Sequence, residues 1–177
     1  IDSPRLTAEI LLCFSLGIRR LDLYLQHDRP LEKNELTRFK SLIKRRIKRE
    51  PVAYITGEKG FYESSFQVQK GVLIPRPETE ELLDWIKKDH ADHTKINKIL
   101  EVGTGSGILS ISLKKAFPMA EVTALDISAA ALEVAKKNSG RLGESVVFKI
   151  MDFTNESLWI DLPAVDILVS NPPYISE

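Results

Sequence analysis

"ILEVGTGSGILSISLKKAF", residues 99–117, carries a change of period in its middle. A short apolar run ends at Val102, three glycines alternate with small polar residues, and from Ile108 the apolar positions recur at helical spacing. A strand that feeds a helix through such a turn is one βα unit. Gly103, Gly105 and Gly107 let the backbone turn tightly and approach a ligand without Cβ clashes. A glycine-rich βα turn alone is a weak signal, because several nucleotide families use one; its spacing separates the ligand classes. A dinucleotide fingerprint, G-x-G-x-x-G, would put the third glycine at position 108, which is Ile108. No Lys-Ser/Thr pair comes after it to serve a phosphate loop.

Outward from this unit the alternation continues. "EVTALD" (121–126), "VVFKIM" (146–151) and "VDILVS" (165–170) read as strands, and "SAAALEVAKKN" (128–138) as a helix. Strands alternating with helices imply a parallel, doubly wound sheet covered on its faces. In such a sheet the order reverses between the first strand and the fourth, and ligands bind in that crevice. Strand one ends in the glycine loop and strand four in "NPPY", so Asn171 is expected beside the ligand of the loop. Proline lacks the N–H needed to extend a ladder, so Pro172 and Pro173 stop the strand and stiffen the loop at its carboxyl end.

The pattern E-x-G-x-G-x-G resembles the first motif of class I S-adenosylmethionine-dependent methyltransferases, whose loop wraps a sulfonium amino acid and a ribose. On that resemblance Glu101, Gly103, Thr104, Gly105, Ser106 and Gly107 are cofactor-binding residues, with Glu101 facing the methionyl ammonium directly or through water. Asp126, at the carboxyl end of strand two, can accept both ribose hydroxyls in charge-assisted bonds; Ser128 is better placed than Asp126 to cap the next helix. Asp152 can take the adenine amino group, and the Phe153 ring either stacks on adenine or packs in the core. Asn171 adjoins the methyl donor. If the Asn171 side-chain oxygen and the Pro172 carbonyl each accept one N–H, a planar nitrogen is gripped from two sides with its lone pair aimed at the sulfonium methyl. Tyr174 can pack against the acceptor's flat group. Asn171, Pro172 and Tyr174 are thus the candidate catalytic residues, and Asn171, Pro172, Pro173 and Tyr174 the substrate-binding set.

The same tetrapeptide occurs in enzymes that methylate adenine or guanine amino groups, so an N6-adenine or N2-guanine methyltransferase acting on DNA or RNA is the alternative. The segments before it narrow the choice. "REPVAYITGEKGFYESSFQVQKGVLIPRPETEELLDWI" with "ILEVGTGSG", "ALDISAAALEVAKKN" and "VSNPPYIS" resembles the protein-(glutamine-N5) methyltransferases of peptide chain release factors, the PrmC/HemK family. The resemblance spans essentially the whole chain. It implies methyl transfer from S-adenosylmethionine, leaving S-adenosylhomocysteine, to the glutamine of the Gly-Gly-Gln loop of release factors. Where many relatives have Trp this chain has Phe153. Family members continue past this motif to a seven-stranded sheet, so the methyltransferase domain is expected to be truncated after strand four.

The N-terminal part is of another kind. Ser3-Pro4 reads as a helix start and Gly17 as a stop, with Leu6, Ile10 and Phe14 on one face; Leu21 and Leu25 mark a second helix. A third, from about Glu32 to Arg49, places Leu36, Phe39, Ile43 and Ile47 together. Its basic run "KRRIKR" (44–49) is a solvated face or a docking surface for an acidic or RNA-containing partner. The expected organisation is a helical substrate-recognition domain over 1–58, a β-hairpin linker over 59–75 and the cofactor-binding domain over 76–177. The hairpin is placed with Phe66 and Val68 before a turn at Lys70-Gly71 and Val72 and Ile74 after it. Pro77 suits a helix N1 position, with Glu78, Glu80 and Glu81 next, where the macrodipole favours acids.

Composition is consistent with this. Of 177 residues, 43% are hydrophobic and 28% charged, and basic and acidic side chains balance at 25 each. No bulk field argues for nucleic acid or an anionic membrane. The single Cys13 reads as a small buried residue in a reducing compartment, and no membrane span or signal peptide is visible. A cytoplasmic monomer, without direct nucleic-acid or membrane partners, is expected. His90 and His93 share a helix-face spacing but have no evident third ligand, so no metal is expected.

Overall fold

The computed structural model describes residues 3–172. The chain divides into two compact units, Ile1–Gly57 and Glu58–Glu177.

The first unit is helical: α1 (Pro4–Leu16), α2 (Arg20–Leu25), α3 (Lys33–Ile47) and α4 (Val52–Thr56). Pro4 sits in the first turn of α1, and Gly17 ends it in the left-handed conformation. The core is Leu11, Leu42 and Ile55, with Phe39, Ile43 and Val52 packed around it. Phe39 and Ile43 pack as expected, whereas the seam of α1 and the two ends of the α3 seam, Leu36 and Ile47, are corrected. On α1 the buried positions are Thr7, Leu11 and Ser15, one step round from Ile10 and Phe14, which remain 38% and 37% exposed. The small residues flanking Leu11 allow close approach to α3, and the Ser15 hydroxyl donates to the Glu35 carbonyl at 3.3 Å. On α3 it is Leu42 that is buried, whereas Ile47 is 75% exposed. The basic run fastens the end of α3: Arg45 makes a bidentate pair with Glu50 at 2.5 and 2.8 Å, and Arg46 donates to the Glu50 carbonyl.

The second unit opens with an antiparallel hairpin, β1 (Glu58–Phe61) and β2 (Ser64–Gln67), in which Phe61 faces Ser64 across a two-residue turn. The expected turn at Lys70-Gly71 does exist, with Gly71 at φ +90° and Val72 N–H donating to Gln69, but no strands pair across it. The actual turn lacks a glycine. Tyr62 takes φ +49° there, held by its N–H on the Glu80 carboxylate and its hydroxyl on the Glu80 carbonyl. A tertiary clamp therefore does what Asn-Gly does in an isolated hairpin. Phe61 and Phe66 are buried in the core of this unit.

Next come α5 (Pro77–Asp89), β3 (Lys98–Val102), α6 (Ile108–Ala116), β4 (Glu121–Asp126), α7 (Ala129–Leu142), β5 (Val147–Ile150) and β6 (Ile167–Ser170). The four strands form a parallel sheet in the order β5-β4-β3-β6, so the reversal falls between β3 and β6 as the alternation implied. Ile99, Val122, Ile167 and Val169 point to one face and join Leu83 and Ile86 of α5 and Ile108 and Ile111 of α6 in the main core. On the other face Leu100 and Leu125 are buried while Leu168 is 58% exposed. Among the described residues β6 pairs with β3 only. The Asp166 carboxylate fixes the register of that pair by accepting the N–H groups of Asn97 and Lys98 at 2.7 and 2.9 Å.

Candidate functional site

The loop between β3 and α6 is built from its own hydrogen bonds. The N–H groups of Gly103 and Thr104 both donate to the Leu125 carbonyl at 2.9 Å, and Gly107 N–H donates to Thr104 at 2.9 Å. Gly105 N–H goes to the Asp126 carboxylate at 2.8 Å. Donors that a phosphate cradle would need are thereby turned inward, which agrees with the spacing argument against a pyrophosphate ligand. Gly107 cannot be replaced without strain: its φ is +79°, and a Cβ there would lie 2.9 Å from that of Ala135 on α7.

Two carboxylates flank the loop. Asp126, half-buried at the end of β4, accepts Gly105 N–H on one oxygen and Ser128 N–H on the other, each at 2.8 Å. A carboxylate has about four acceptor sites, so both oxygens keep a lone pair for hydroxyls. Ser128 caps α7 by accepting Ala131 N–H, as its position implied. Glu101 is 3% exposed at the end of β3. One of its oxygens accepts the Thr104 hydroxyl at 2.5 Å and Ser110 N–H at 3.0 Å, and the Ser110 and Thr104 hydroxyls lie 3.0 Å apart. Burial pushes the Glu101 carboxyl up to about 7 against the pull of these neutral donors, with a further rise from the charge of Asp126. When ionised, a buried carboxyl so placed favours a cationic partner.

Across the reversal point, β6 delivers Asn171 into the same cleft. Glu101, Gly103, Thr104, Gly105, Ser106 and Asn171 all line it, together with Leu73 and Pro75 from the segment that leads into α5 and Thr79 from the first turn of α5. The half-buried Asn171 donates its side-chain N–H to the Thr79 hydroxyl at 2.8 Å. Pro172 comes next, exposed. Pro173 and Tyr174 lie outside the described residues.

The remaining expected residues stand apart from this cleft lining. Asp152 accepts both the N–H and the hydroxyl of Thr154, at 3.0 and 2.6 Å, in a local turn that holds its carboxyl below its ordinary range. The partly buried Phe153 ring stacks on Trp159 with centroids 5.1 Å apart, and the Phe153 carbonyl accepts the Trp159 indole N–H. Phe153 therefore has an aromatic partner on one side, a third arrangement beside the two its sequence position suggested. His93 packs its ring against Phe117, and no metal-ligating cluster of three side chains occurs among the described residues.

Sequence reasoning passed over Thr79, Ser110 and Asn138. Asn138, fully buried on α7, donates to the Ser106 carbonyl at 2.9 Å and so pins the loop from behind. Its signal was weak, a polar residue at the end of an apolar helical pattern. Thr79 carried a clearer one, since it occupies the apolar i, i+4, i+7 face continued by Leu83 and Ile86. A larger recess of about 300 Å³ between the hairpin, α5 and α6 contains none of the residues singled out by sequence.

Known proteins resemble this chain in sequence and in fold. Residues 1–57 match the PrmC N-terminal domain and residues 78–177 the methyltransferase small domain. Release factor glutamine methyltransferase of Chlorobaculum tepidum is 46% identical over 184 residues, covering 100% of this chain and 63% of that protein. The protein of the same name from Koribacter versatilis is 42% identical, covering 99% of this chain and 61% of its own length. The chain thus spans about three-fifths of the length of these curated relatives. In fold it is similar to Pyrococcus abyssi tRNA (uracil-54, C5)-methyltransferase, solved in complex with S-adenosyl-L-homocysteine, with a TM-score of 0.52 at 17% identity over 66% of this chain and 27% of the other. The parallel sheet agrees with a methyltransferase fold, and the chain belongs to the methyltransferase small domain family, with a PrmC N-terminal domain ahead of it.

Proposed function

We propose that this chain binds S-adenosylmethionine at the glycine loop and, as a cytoplasmic monomer, directs methyl transfer to the side-chain amide nitrogen of the glutamine in the Gly-Gly-Gln motif of peptide chain release factors. The observation that carries the reading is the polarity of the loop. Its N–H groups at Gly103, Thr104, Gly105 and Gly107 are spent internally, while carboxyl groups at Glu101 and Asp126 flank it. That arrangement suits a ligand with an ammonium and a ribose rather than a phosphate. Glu101 holds the ammonium, Asp126 the ribose hydroxyls, and Gly103–Gly107 the backbone contour between them. Asp152 and Phe153 serve the adenine. The names of the relatives support the substrate.

When bound, the donor supplies an electrophilic methyl on a sulfonium. An amide nitrogen is a poor nucleophile because its lone pair is delocalised. Asn171 and Pro172 each accept one N–H of the substrate amide, which fixes the nitrogen's plane and turns its lone pair toward the methyl. Tyr174 packs against the amide. The N–C bond forms as the C–S bond breaks, and the sulfur leaves as a neutral thioether. The nitrogen, acidified by alkylation, releases its proton to solvent, so no strong general base is needed.

Residues 1–57 recognise the protein substrate, a role supported by their being a compact unit with a core of their own. The test is incubation with methyl-labelled donor and either release factor or nucleic acid, and then peptide mapping. Label on the Gly-Gly-Gln glutamine is expected. Label on adenine or guanine of DNA or RNA instead would assign the chain to exocyclic amine methylation. Removing residues 1–57 is expected to leave donor binding in place and abolish modification of intact release factor.

A further inference from the structure

The recess between the hairpin, α5 and α6 has a volume of about 300 Å³ and is lined by residues of the second unit. Its apolar lining includes Phe61 of β1 and Leu83 of α5, both members of the main core. Tyr62, in the hairpin turn, lines it as well. The space exists because the side chains that α6 turns toward it are short. Ser112 and Ala116 continue the face that Ile108 opens, and neither is large enough to fill the gap to the hairpin. A smaller recess of about 70 Å³ shares Ser64, Ser112 and Lys115 with it.

Two lysines line the larger recess, Lys87 from α5 and Lys115 from α6. Each belongs to the last turn of its helix, where the macrodipole favours a cation. That preference is indifferent to direction around the helix, and each last turn carries another lysine, Lys88 and Lys114, that does not line the recess. Lys114 is committed elsewhere, its ammonium donating to the Pro118 and Ala120 carbonyls at 2.9 and 2.8 Å. The Lys115 ammonium and the Ser64 and Ser112 hydroxyls make no hydrogen bond or ion pair among the described residues. The Lys87 ammonium lies 5.7 Å from the centre of the Tyr62 ring and 3.9 Å from the Asp84 carboxylate, a loose pair at the surface. The opposing charge within the lining is Glu63, exposed in the hairpin turn.

We propose that this recess is a second ligand site, which takes a small aromatic anion: a single ring bearing a phosphate or carboxylate group. The ring lies on the apolar lining of Phe61, Tyr62 and Leu83, and the anionic group is held by Lys87 and Lys115 and accepts the Ser112 hydroxyl proton in a hydrogen bond. Size sets the limit of one ring, since about 300 Å³ is at the lower end of ligand pockets. The lysines set the sign of the charge. A bare anion would leave the apolar lining unused, and a neutral ring would leave the lysines without a partner. Among the described residues, none lines both this recess and the cleft of Glu101 and Asn171.

Phenyl phosphate, titrated into the ¹⁵N-labelled whole chain, is the test. Saturable shifts of the Ser64, Ser112 and Lys115 amides are expected, with a dissociation constant of about 1 mM or tighter, while the amides of Gly103 to Gly107 stay in place. Benzyl alcohol keeps the ring without the charge, and inorganic phosphate keeps the charge without the ring. Each should bind at least about tenfold more weakly. Lys87→Gln and Lys115→Gln should each weaken phenyl phosphate about three- to fivefold. Lys88→Gln makes the same change in net charge one residue outside the recess and should leave the affinity unchanged. Ser112→Leu fills the space and should abolish binding; if that variant is poorly folded, the lysine variants still decide the question. Equal binding of benzyl alcohol or inorganic phosphate, equal losses in Lys88→Gln and Lys87→Gln, or native binding by Ser112→Leu would overturn the site. So would shifts centred on Gly103 to Gly107, or shifts that do not saturate below about 10 mM.

Discussion

Asn138 pairs with the backbone of Gln67 as a neighbouring strand would, accepting its N–H at 2.7 Å and donating to its carbonyl at 3.0 Å. The remaining amide proton goes to the Ser106 carbonyl at 2.9 Å. One side chain on α7 therefore ties the second hairpin strand to the glycine loop, and does so from a position with no solvent exposure.

Replacing Asn138 by Ala deletes three hydrogen bonds and leaves the Ser106 carbonyl without that partner. The expected loss is about 2–4 kcal/mol of unfolding free energy, since buried polar groups stripped of partners lose their desolvation compensation. Denaturant melts measure it. Donor affinity should fall as well, because the loop loses its rear anchor. A variant with native stability would show that the hairpin and loop hold their places without Asn138.

A second prediction concerns Gly107. Ala at this position meets both a left-handed φ of +79° and the Ala135 methyl at 2.9 Å. Gly107→Ala should cost about 2–3 kcal/mol, by thermal or denaturant unfolding, from backbone strain and overpacking together. Adding Ala135→Gly should return only part of the overpacking, because the Cα of residue 135 and the Ile111 side chain, each 3.1 Å from the added Cβ, stay in place. Full recovery would mean that φ carries no penalty here.

Much of this was legible in the chain. The period change at Val102–Ile108, the acids ending β3 and β4 and the prolines ending β6 each arise from local chemistry, and the parallel order comes from their alternation. The hairpin was not legible in this way, because its turn depends on Glu80 holding Tyr62, a contact between segments 18 residues apart. The seam of α1, and the outer positions Leu36 and Ile47 of the α3 seam, were misplaced for a related reason. Periodicity weighs large apolar residues, whereas the α1 interface is organised by Thr7 and Ser15 around Leu11. Asn138 escaped because its local signature was weak, and Thr79 could be read only from its place on an apolar helix face; the partners of both lie far off in the chain, 71 and 92 residues away.

The raised Glu101 carboxyl predicts a pH dependence. With its folded pKa at about 7, above the ordinary 4.5, the native state holds a proton that the unfolded chain has released across that window. Stability should therefore be greatest below about pH 4.5 with respect to this group and fall as pH rises to about 7, by about 3 kcal/mol in all. Glu101→Gln should flatten that slope. Donor or S-adenosylhomocysteine binding should show the opposite trend, tightening as pH rises toward 7, because the ammonium favours the ionised carboxylate. Calorimetry across about pH 5–8 separates the two; binding that is indifferent to pH would remove Glu101 from the ammonium.

Asp126 gives the sharpest separation of structure from ligand binding, because its two oxygens already hold Gly105 N–H and Ser128 N–H. Asp126→Ala removes those bonds and the ribose acceptor together, so weaker donor binding in that variant, by about 1.5–3 kcal/mol, would not say which loss mattered. Asp126→Asn is the cleaner change. It keeps one acceptor oxygen for one of the two loop bonds, but replaces the other oxygen with a donor and removes the charge that strengthens a ribose contact. Adenosine, which carries the ribose without the methionyl chain, then serves as the reporter. If Asp126 holds the ribose, Asp126→Asn should weaken adenosine by the same factor as S-adenosylhomocysteine. If Asp126 only braces the loop, the damage should centre on the backbone between Gly103 and Gly107 that runs along the methionyl chain. Adenosine would then lose markedly less than S-adenosylhomocysteine, and Asp126 would be a scaffold residue rather than a binding one.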